Sequence, residues 1–366
     1  MRIFATPCDL HAVGYYRALL PWSYMKSLGH DVTIAMMLHP RMLKDIDVLV
    51  IQWARSQDHM NIMRAFQSTG GKVILEIDDD ARDLSYSNPM KRVIGKEDHD
   101  RGFAIMRQAD AVTVTSPYLA EAYAEFNDHI FVCRNCLDPN IWMTLLTEQR
   151  PIRPKAIRIG WAGTTSQHYD DLQMVRRPLI KFLKEHPDAQ FLIATENQTL
   201  TAIFPRTVAD QVTWVGSTFD GDPNNKLTGV KMDYKPGELL PTMKMPGLMA
   251  LMDLDIAIAP IVKRPYSRAK SWIKILEYGG GGFPTIASNY GPYEEYNRLY
   301  PDCIWLADEN IDEWYSSLRH LADRPDLRTI LRDNNQRVIR ENHLITSHLH
   351  EWQAVLDYLR PDLVKA

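Results

Sequence analysis

Several things are scarce in this chain, and each scarcity narrows what it can be. No stretch approaches the roughly 18 consecutive apolar residues that a membrane-crossing helix needs, so no transmembrane segment is expected. The opening MRIFATPCDL lacks the long apolar core of a secretory signal and reads as a strand. There are only four cysteines, Cys8, Cys133, Cys136 and Cys303. Cys133 and Cys136 make one C-x-x-C pair without a second, which is not a zinc framework, and so few thiols suit a reducing, cytoplasmic compartment. A net charge of -4 gives no global pull towards nucleic acid or an anionic membrane. No G-x-S-x-G elbow exists to turn Ser116 or Cys8 into a hydrolase nucleophile. No G-x-G-x-x-G follows the first strand, so the dinucleotide fingerprint is missing too.

What is there is ordinary globular material: 366 residues, 45% hydrophobic and 24% charged, enough for two domains. Short apolar strands alternate with helical spacing throughout. In the first half the predicted strands are 2–6, 31–35, 47–51, 72–77, 111–115 and 130–133. Helices are expected over 15–28, 58–68, 97–109 and 117–126, with a long polar loop at 78–90. The segment 147–155, TEQRPIRPK, reads as a linker. Strands then resume at 157–161, 190–194, 212–215, 255–260, 283–287 and 302–306. Helices follow at 170–185, 271–278, 312–321, 325–341 and 347–359, and the segment 219–245 reads as a polar insertion. Such alternation in both halves predicts an α/β chain of two doubly wound, Rossmann-like domains.

The most informative stretch is Ser267 to Ser288, SRAKSWIKILEYGGGGFPTIAS. It is a polar loop, a helix, a glycine-rich stop and a buried strand. Ligands of parallel sheets sit at the carboxyl ends of strands, beside helix N-termini with free N–H groups. Here Lys263, Arg264, Arg268 and Lys270, with Ser267 and Ser271, crowd such an end. They make a cradle for a diphosphate. Glu277, further along the same helix, suits a pair of ribose hydroxyls.

This stretch resembles the donor motif of retaining nucleotide-sugar glycosyltransferases of the GT-B fold, the family of sucrose and glycogen synthases. There a Glu, seven residues and a second Glu precede a Gly-x-Pro strand. Glu277 matches the second Glu, which in the family binds ribose. The first is replaced by Ala269, and the Ser-x-x-Lys-Ser form here resembles a bacterial and phage subgroup. The resemblance implies two facing domains, residues 1–148 on the acceptor side and 149–344 binding the donor. It also implies that a terminal helix, 345–366, returns to the first domain. The implied activity is transfer of a sugar from a nucleotide diphosphate sugar to an acceptor hydroxyl.

Other constellations fit around this motif. AVGYYR places Gly14, Tyr15 and Arg17 after the first strand, where the family's glycine-containing loop faces the sugar. EIDDD ends the fourth strand where the family carries a His. Three consecutive acids cannot all be core, because an unpaired buried carboxylate is costly. Asp78 or Asp79 is therefore expected to face the cleft and to take or orient the acceptor's proton. The rival reading is a metal-binding acidic motif of the GT-A kind. The basic donor loop favours no metal, since cations would neutralise the leaving diphosphate. GWAGTTSQHYDD places Gly163, Thr164 and Thr165 at a helix N-terminus for phosphate contact, with His168 nearby. The family uses Arg and Lys in that loop and neither stands here, so Arg268 and Lys270 would carry more of the charge. NCLDPN resembles the family's hinge segment and reads as an Asx turn.

The acceptor stays open at this level. A cell-surface or lipid-linked glycan is one candidate. Another is a hydroxymethylated base in phage DNA, with Lys226, Lys231, Lys235 and Lys244 as a basic edge. A non-catalytic nucleotide-sugar binder and a sugar-nucleotide epimerase are the remaining alternatives.

Overall fold

Runs of β-branched and apolar residues buried on both faces favour parallel strands covered by helices. A computed structural model, which describes residues 1–148, 150–195, 202–216 and 239–363, has this architecture. Among the described residues there are two six-stranded sheets. The first comprises β1 (Arg2–Thr6), β2 (Asp31–Ile34), β3 (Val48–Gln52), β4 (Lys72–Ile77), β5 (Ala111–Val114) and β6 (Ile130–Val132). The second comprises β7 (Arg158–Ala162), β8 (Gln190–Ala194), β9 (Val212–Gly216), β10 (Ile256–Ala259), β11 (Thr285–Ser288) and β12 (Trp305–Ala307). Every strand pair is parallel. The chain is thus two Rossmann-like domains. No helix among the described residues is long and apolar enough to cross a membrane.

Strand order dictates where a ligand can enter. The first sheet runs β2-β1-β3-β4-β5-β6 and the second β12-β11-β10-β7-β8-β9. Successive connections change direction between β1 and β3, and again between β7 and β10. At such switch points the loops diverge and leave a crevice at the carboxyl ends of the strands. In the first sheet those loops carry Asp9–Gly14 and Trp53–Arg55. In the second they carry Gly163–His168 and Ile261–Lys270.

Two stretches differ from expectation. The segment after Asn135 is not only a turn: Asp138 caps a helix, Pro139–Thr147, accepting from the Asn140 N–H at 2.9 Å. That helix precedes the expected boundary at 148, yet it packs against Ile273–Gly280 and Met245–Met252 of the second domain. The chain crosses between domains at Leu137 and returns at Leu344, and the two crossings are hydrogen-bonded (Leu137 N–H to His343 O and Ile345 N–H to Leu137 O, both 2.9 Å). The final helix, Ile345–Leu359, then lies on Leu20–Met25 and β6 of the first domain. A second helix, Pro292–Leu299, was missed although Pro at its start and Glu294 and Glu295 in its first turn signal one. Most of the expected insertion 219–245 lies outside the described residues, including Lys226, Lys231 and Lys235.

The four glycines also do more than stop a helix. The helix continues through Gly279 and Gly280 before Gly282 turns out with φ of +75°. A Cβ on Gly280 would stand 2.6 Å from the Trp142 ring, and one on Gly279 would stand 2.3 Å from Asn335 Nδ2. The glycines let two neighbouring helices close onto the one that carries Glu277.

This predicts opposite signs for two like substitutions. Gly280→Ala should destabilise by about 1–3 kcal/mol through overpacking, despite alanine's better helix propensity. Gly102→Ala, in a helix where an added Cβ meets nothing within 4 Å, should stabilise by about 0.4–1 kcal/mol. Urea denaturation of both variants measures the difference.

Candidate functional site

Tyr16 follows Gly14 and Tyr15 on the first helical segment after β1. Gly14 is required there because its N–H bonds Asp9 Oδ1 at 2.9 Å and a Cβ would sit 1.9 Å from Asp9 O. The close approach it permits is to the chain's own loop. Tyr15 turns inward, its hydroxyl donating to Asp138 Oδ2 at 3.1 Å. Arg17, expected on the sugar side, is fully buried. Its Nε and Nη2 meet Glu76 Oε1 and Oε2 at 2.6 and 3.0 Å. Its Nη1 donates to Cys133 O and, at 3.0 Å, to Asn135 Oδ1. A guanidinium enclosed by these partners is a structural tie behind the cleft, so the expectation for Arg17 is corrected. The reason is chemical: Glu76 ends a buried strand and would be an uncompensated charge without it.

The three consecutive aspartates turn to three different partners. Asp80 takes Arg82 in a fork (2.7 and 2.8 Å) and is buried. Asp78 accepts from the Trp53 indole N–H. Burial, then the neighbouring charges of Asp79 and Glu76, push its pKa up to about 7. Asp79 reaches across the cleft to Lys270 Nζ at 3.2 Å, and the Tyr266 hydroxyl lies 3.4 Å from the same carboxylate oxygen. Lys270 in turn donates to the Tyr266 hydroxyl at 3.0 Å. Burial works against the Lys270 ammonium, but Asp79 and Tyr266 outweigh it and raise its pKa.

On the second domain Lys274 and Glu277 lie one turn apart on the helix Ile273–Gly280 and so share one face, while Lys270 stands in the loop just before that helix. Lys274 was overlooked in the sequence, although it lies four residues after Lys270 and three before Glu277. Its Nζ donates to Ala162 O and stands 5.1 Å from the Trp161 ring centroid. Burial lowers its pKa to about 8, against the pull of Glu277 and Asp171. Gly163 leaves room for it, since a Cβ would lie 2.9 Å from that ammonium. The Gly163 N–H is bonded to Ala194 O at 3.0 Å, so it is taken up by the sheet and not offered to a phosphate. Thr164 stands just before the helix Thr165–Glu185 without capping it. His168 Nδ1 meets Asp171 Oδ2 at 2.8 Å, and Asp171 Oδ1 accepts from the Val262 N–H at 2.9 Å. Burial lowers the His168 pKa, so the ring is neutral there.

The domains meet through functional-type groups. Glu277 Oε1 accepts from the Tyr16 hydroxyl at 2.9 Å, and burial raises its pKa. Asn135 Nδ2 donates to Ser271 Oγ at 2.8 Å. The Arg264 guanidinium meets Asp170 at 3.2 Å, and Ser85 of the first domain bonds the same carboxylate. Arg268 is exposed and lies over the Tyr118 ring, 4.9 Å from its centroid. A small cleft remains between Thr115, Ser116 and Asn135 on one side and Lys270, Ser271 and Trp272 on the other.

No family model matches the chain, and no curated protein matches it in sequence. Solved structures do match. A glycosyltransferase from Rickettsia africae ESF-5 superposes with a TM-score of 0.67 at 13% identity, over 98% of both chains. Sucrose-phosphate synthase from Thermosynechococcus elongatus gives 0.64 at 11% identity, over 99% of both chains. Anabaena HepE, solved in complex with UDP, gives 0.65 at 10% identity, over 97% of this chain and 99% of its own. The chain has the GT-B fold. At such identities the likeness is one of fold.

Two predictions separate tie from site. Arg17→Met should cost about 3–5 kcal/mol, because it strands Glu76 in the interior. Tyr16→Phe should cost no more than about 1.5 kcal/mol, the net worth of one hydrogen bond. Chemical denaturation distinguishes them. The raised Asp78 pKa means that the folded state holds a proton that the unfolded state has lost. Its contribution to stability is therefore present below the ordinary aspartate range and lost as pH rises through about 7. Asp78→Asn should remove that part of the decline, measured as melting temperature between pH 4 and 8.

Proposed function

We propose that the protein transfers a sugar from a nucleotide diphosphate sugar to an acceptor hydroxyl. The observation that carries this reading is the pairing across the cleft: Lys270 in the loop before the helix Ile273–Gly280, with Lys274 and Glu277 on that helix, opposite Asp78 and Asp79 just after β4. The leaving nucleotide gathers charge on its diphosphate as the glycosidic bond breaks. Lys270 and Lys274, with Arg268 at the rim, offset that charge, so this chemistry needs no metal. Glu277 takes the ribose hydroxyls in exchange for the Tyr16 hydroxyl. Ser271, Thr164 and His168 line the donor side.

Asp78 is the better proton acceptor of the two candidate acids. Its pKa of about 7 poises it near neutrality, whereas Asp79 is held in the ion pair with Lys270. Asp79 serves instead as the contact that closes the first domain onto the donor lysine. Closure shields the donor from water and limits its hydrolysis. Retention at the anomeric carbon follows the family resemblance. A cell-surface glycan is the first acceptor to test and hydroxymethylated DNA the second. UDP is the first nucleotide to test, since HepE was solved with it.

Thermal shift with UDP, GDP, ADP and dTDP sugars tests the donor site. A nucleotide at 100 times its dissociation constant should stabilise the fold by about 2.7 kcal/mol. Glu277→Ala and Lys270→Ala should each lose most of that shift while remaining folded. If no nucleotide sugar moves the melting point of the wild type, the transferase reading fails. If donor binds but no acceptor yields product, a non-catalytic binder remains; conversion of the donor sugar alone would instead identify an epimerase.

A further inference from the structure

A second cavity opens in the first domain beside Asp78. It is open to solvent, and its walls include Trp53, Arg55, Arg82, His99, Phe103 and Tyr123. The charges around it are unevenly satisfied. Arg82 is held by Asp80 in a fork and donates to Ala122 O. Asp98 accepts from the Gly95 N–H at 2.9 Å and from Arg101 Nη1 at 3.3 Å. His99 is kept neutral, its pKa lowered by burial and then by Arg55. The Arg55 guanidinium is half-buried and has no hydrogen bond or ion pair among the described residues. It lies over the Trp53 ring, 4.4 Å from the centroid.

A half-buried guanidinium with no directly paired anion is costly, and burial lowers its pKa against the more distant pull of groups that include Asp98 and Asp78. Trp53 adds a second irregularity. It holds φ of +52°, a left-handed conformation that a bulky residue adopts at an energetic cost. The turn points its indole so that one edge bonds Asp78 while its face carries Arg55. The cavity and the proposed proton acceptor therefore share a wall.

We propose that this cavity is an acceptor subsite for a sugar unit bearing an anion, either a carboxylate or a phosphate ester, with the anion on Arg55 and the sugar ring beside the Trp53–Arg55 pair. Guanidinium binds both anions through paired N–H donors. Trp53, which lines the cavity and bonds Asp78, is the link between this site and the proposed proton acceptor. The inference rests on the transferase reading, because that reading makes Asp78 the proton acceptor.

Its test measures acceptor binding directly, without turnover. Methyl glucuronide, glucose 6-phosphate and methyl glucoside are titrated into wild-type protein and Arg55→Gln by calorimetry and saturation-transfer NMR. UDP-sugar binding is followed in parallel and circular dichroism checks the fold. At least one acidic probe should bind about tenfold or more tightly than the neutral one, the worth of one charge-assisted hydrogen bond. The two acidic arms tell carboxylate from phosphate. Arg55→Gln should lose the preference, Arg55→Lys should restore part of it, and both should keep the nucleotide response. Equal binding of acidic and neutral probes, binding of none, or an unchanged preference in Arg55→Gln overturns the subsite. Loss of the nucleotide response in wild type would remove the transferase reading, and is scored separately from the sugar titration.

Discussion

The buried pair of Arg17 and Glu76 is the constraint on which the cleft depends. Neither side chain has appreciable access to solvent, and an ion in that position must be matched on every face. Glu76 takes two bonds from Arg17 and one from the Thr113 hydroxyl. Arg17 spends its remaining donors on Cys133 O and Asn135. The pair thereby fixes three things together: the helix after β1, the end of β4, and the chain leaving β6. Tyr16 precedes Arg17, Asp78 follows Glu76 by two residues, and Asn135 reaches Ser271 on the other domain. One electrostatic requirement thus sets the places from which the first domain meets the second.

Across the cleft the same logic operates between side chains that are more exposed. Asp79 with Lys270, Tyr16 with Glu277 and Asp170 with Ser85 are all contacts between domains. Asp79, Lys270, Tyr16 and Glu277 are groups that the proposed chemistry uses, so ligand binding would exchange these domain contacts for ligand contacts. The paired crossings at Leu137 and Leu344 provide a short hydrogen-bonded seam about which such an exchange can turn. The glycine run lets the Glu277 helix sit tight against Trp142 and Asn335, so this helix is a firm base for its charged face.

Much of this was legible in the chain itself. The alternation of apolar strands and helices gave both sheets to within a few residues, because burial on two faces demands continuous apolar runs. The stretch from Ser267 to Ser288 was legible as a loop, a helix, a glycine turn and a strand because its polar, apolar and glycine residues fall in that order. Arg17 was misread, since an arginine after a glycine looks the same in sequence whether it faces a ligand or a buried carboxylate 59 residues away. Lys274 was overlooked because it lies inside an apolar helix run, where only packing against Ala162 and Trp161 reveals its ammonium. The helix Pro139–Thr147 was masked by its resemblance to a hinge, although Asp-Pro followed by Ile141, Trp142, Leu145 and Leu146 carries the signal.

Local patterns, then, were enough for fold class, strand positions and the basic loop, because periodicity and composition are properties of neighbouring residues. The roles of Asp78, Asp79 and Asp80 could not be separated in that way. They share one strand end and one chemistry, and differ only in what lies opposite: an indole, a lysine of the other domain, and an arginine two residues on. Those partners are brought together by strand order and by the approach of the two domains, so only the folded chain could separate the three acids: one bonded to an indole, one to a lysine of the other domain and one capping the turn at Arg82.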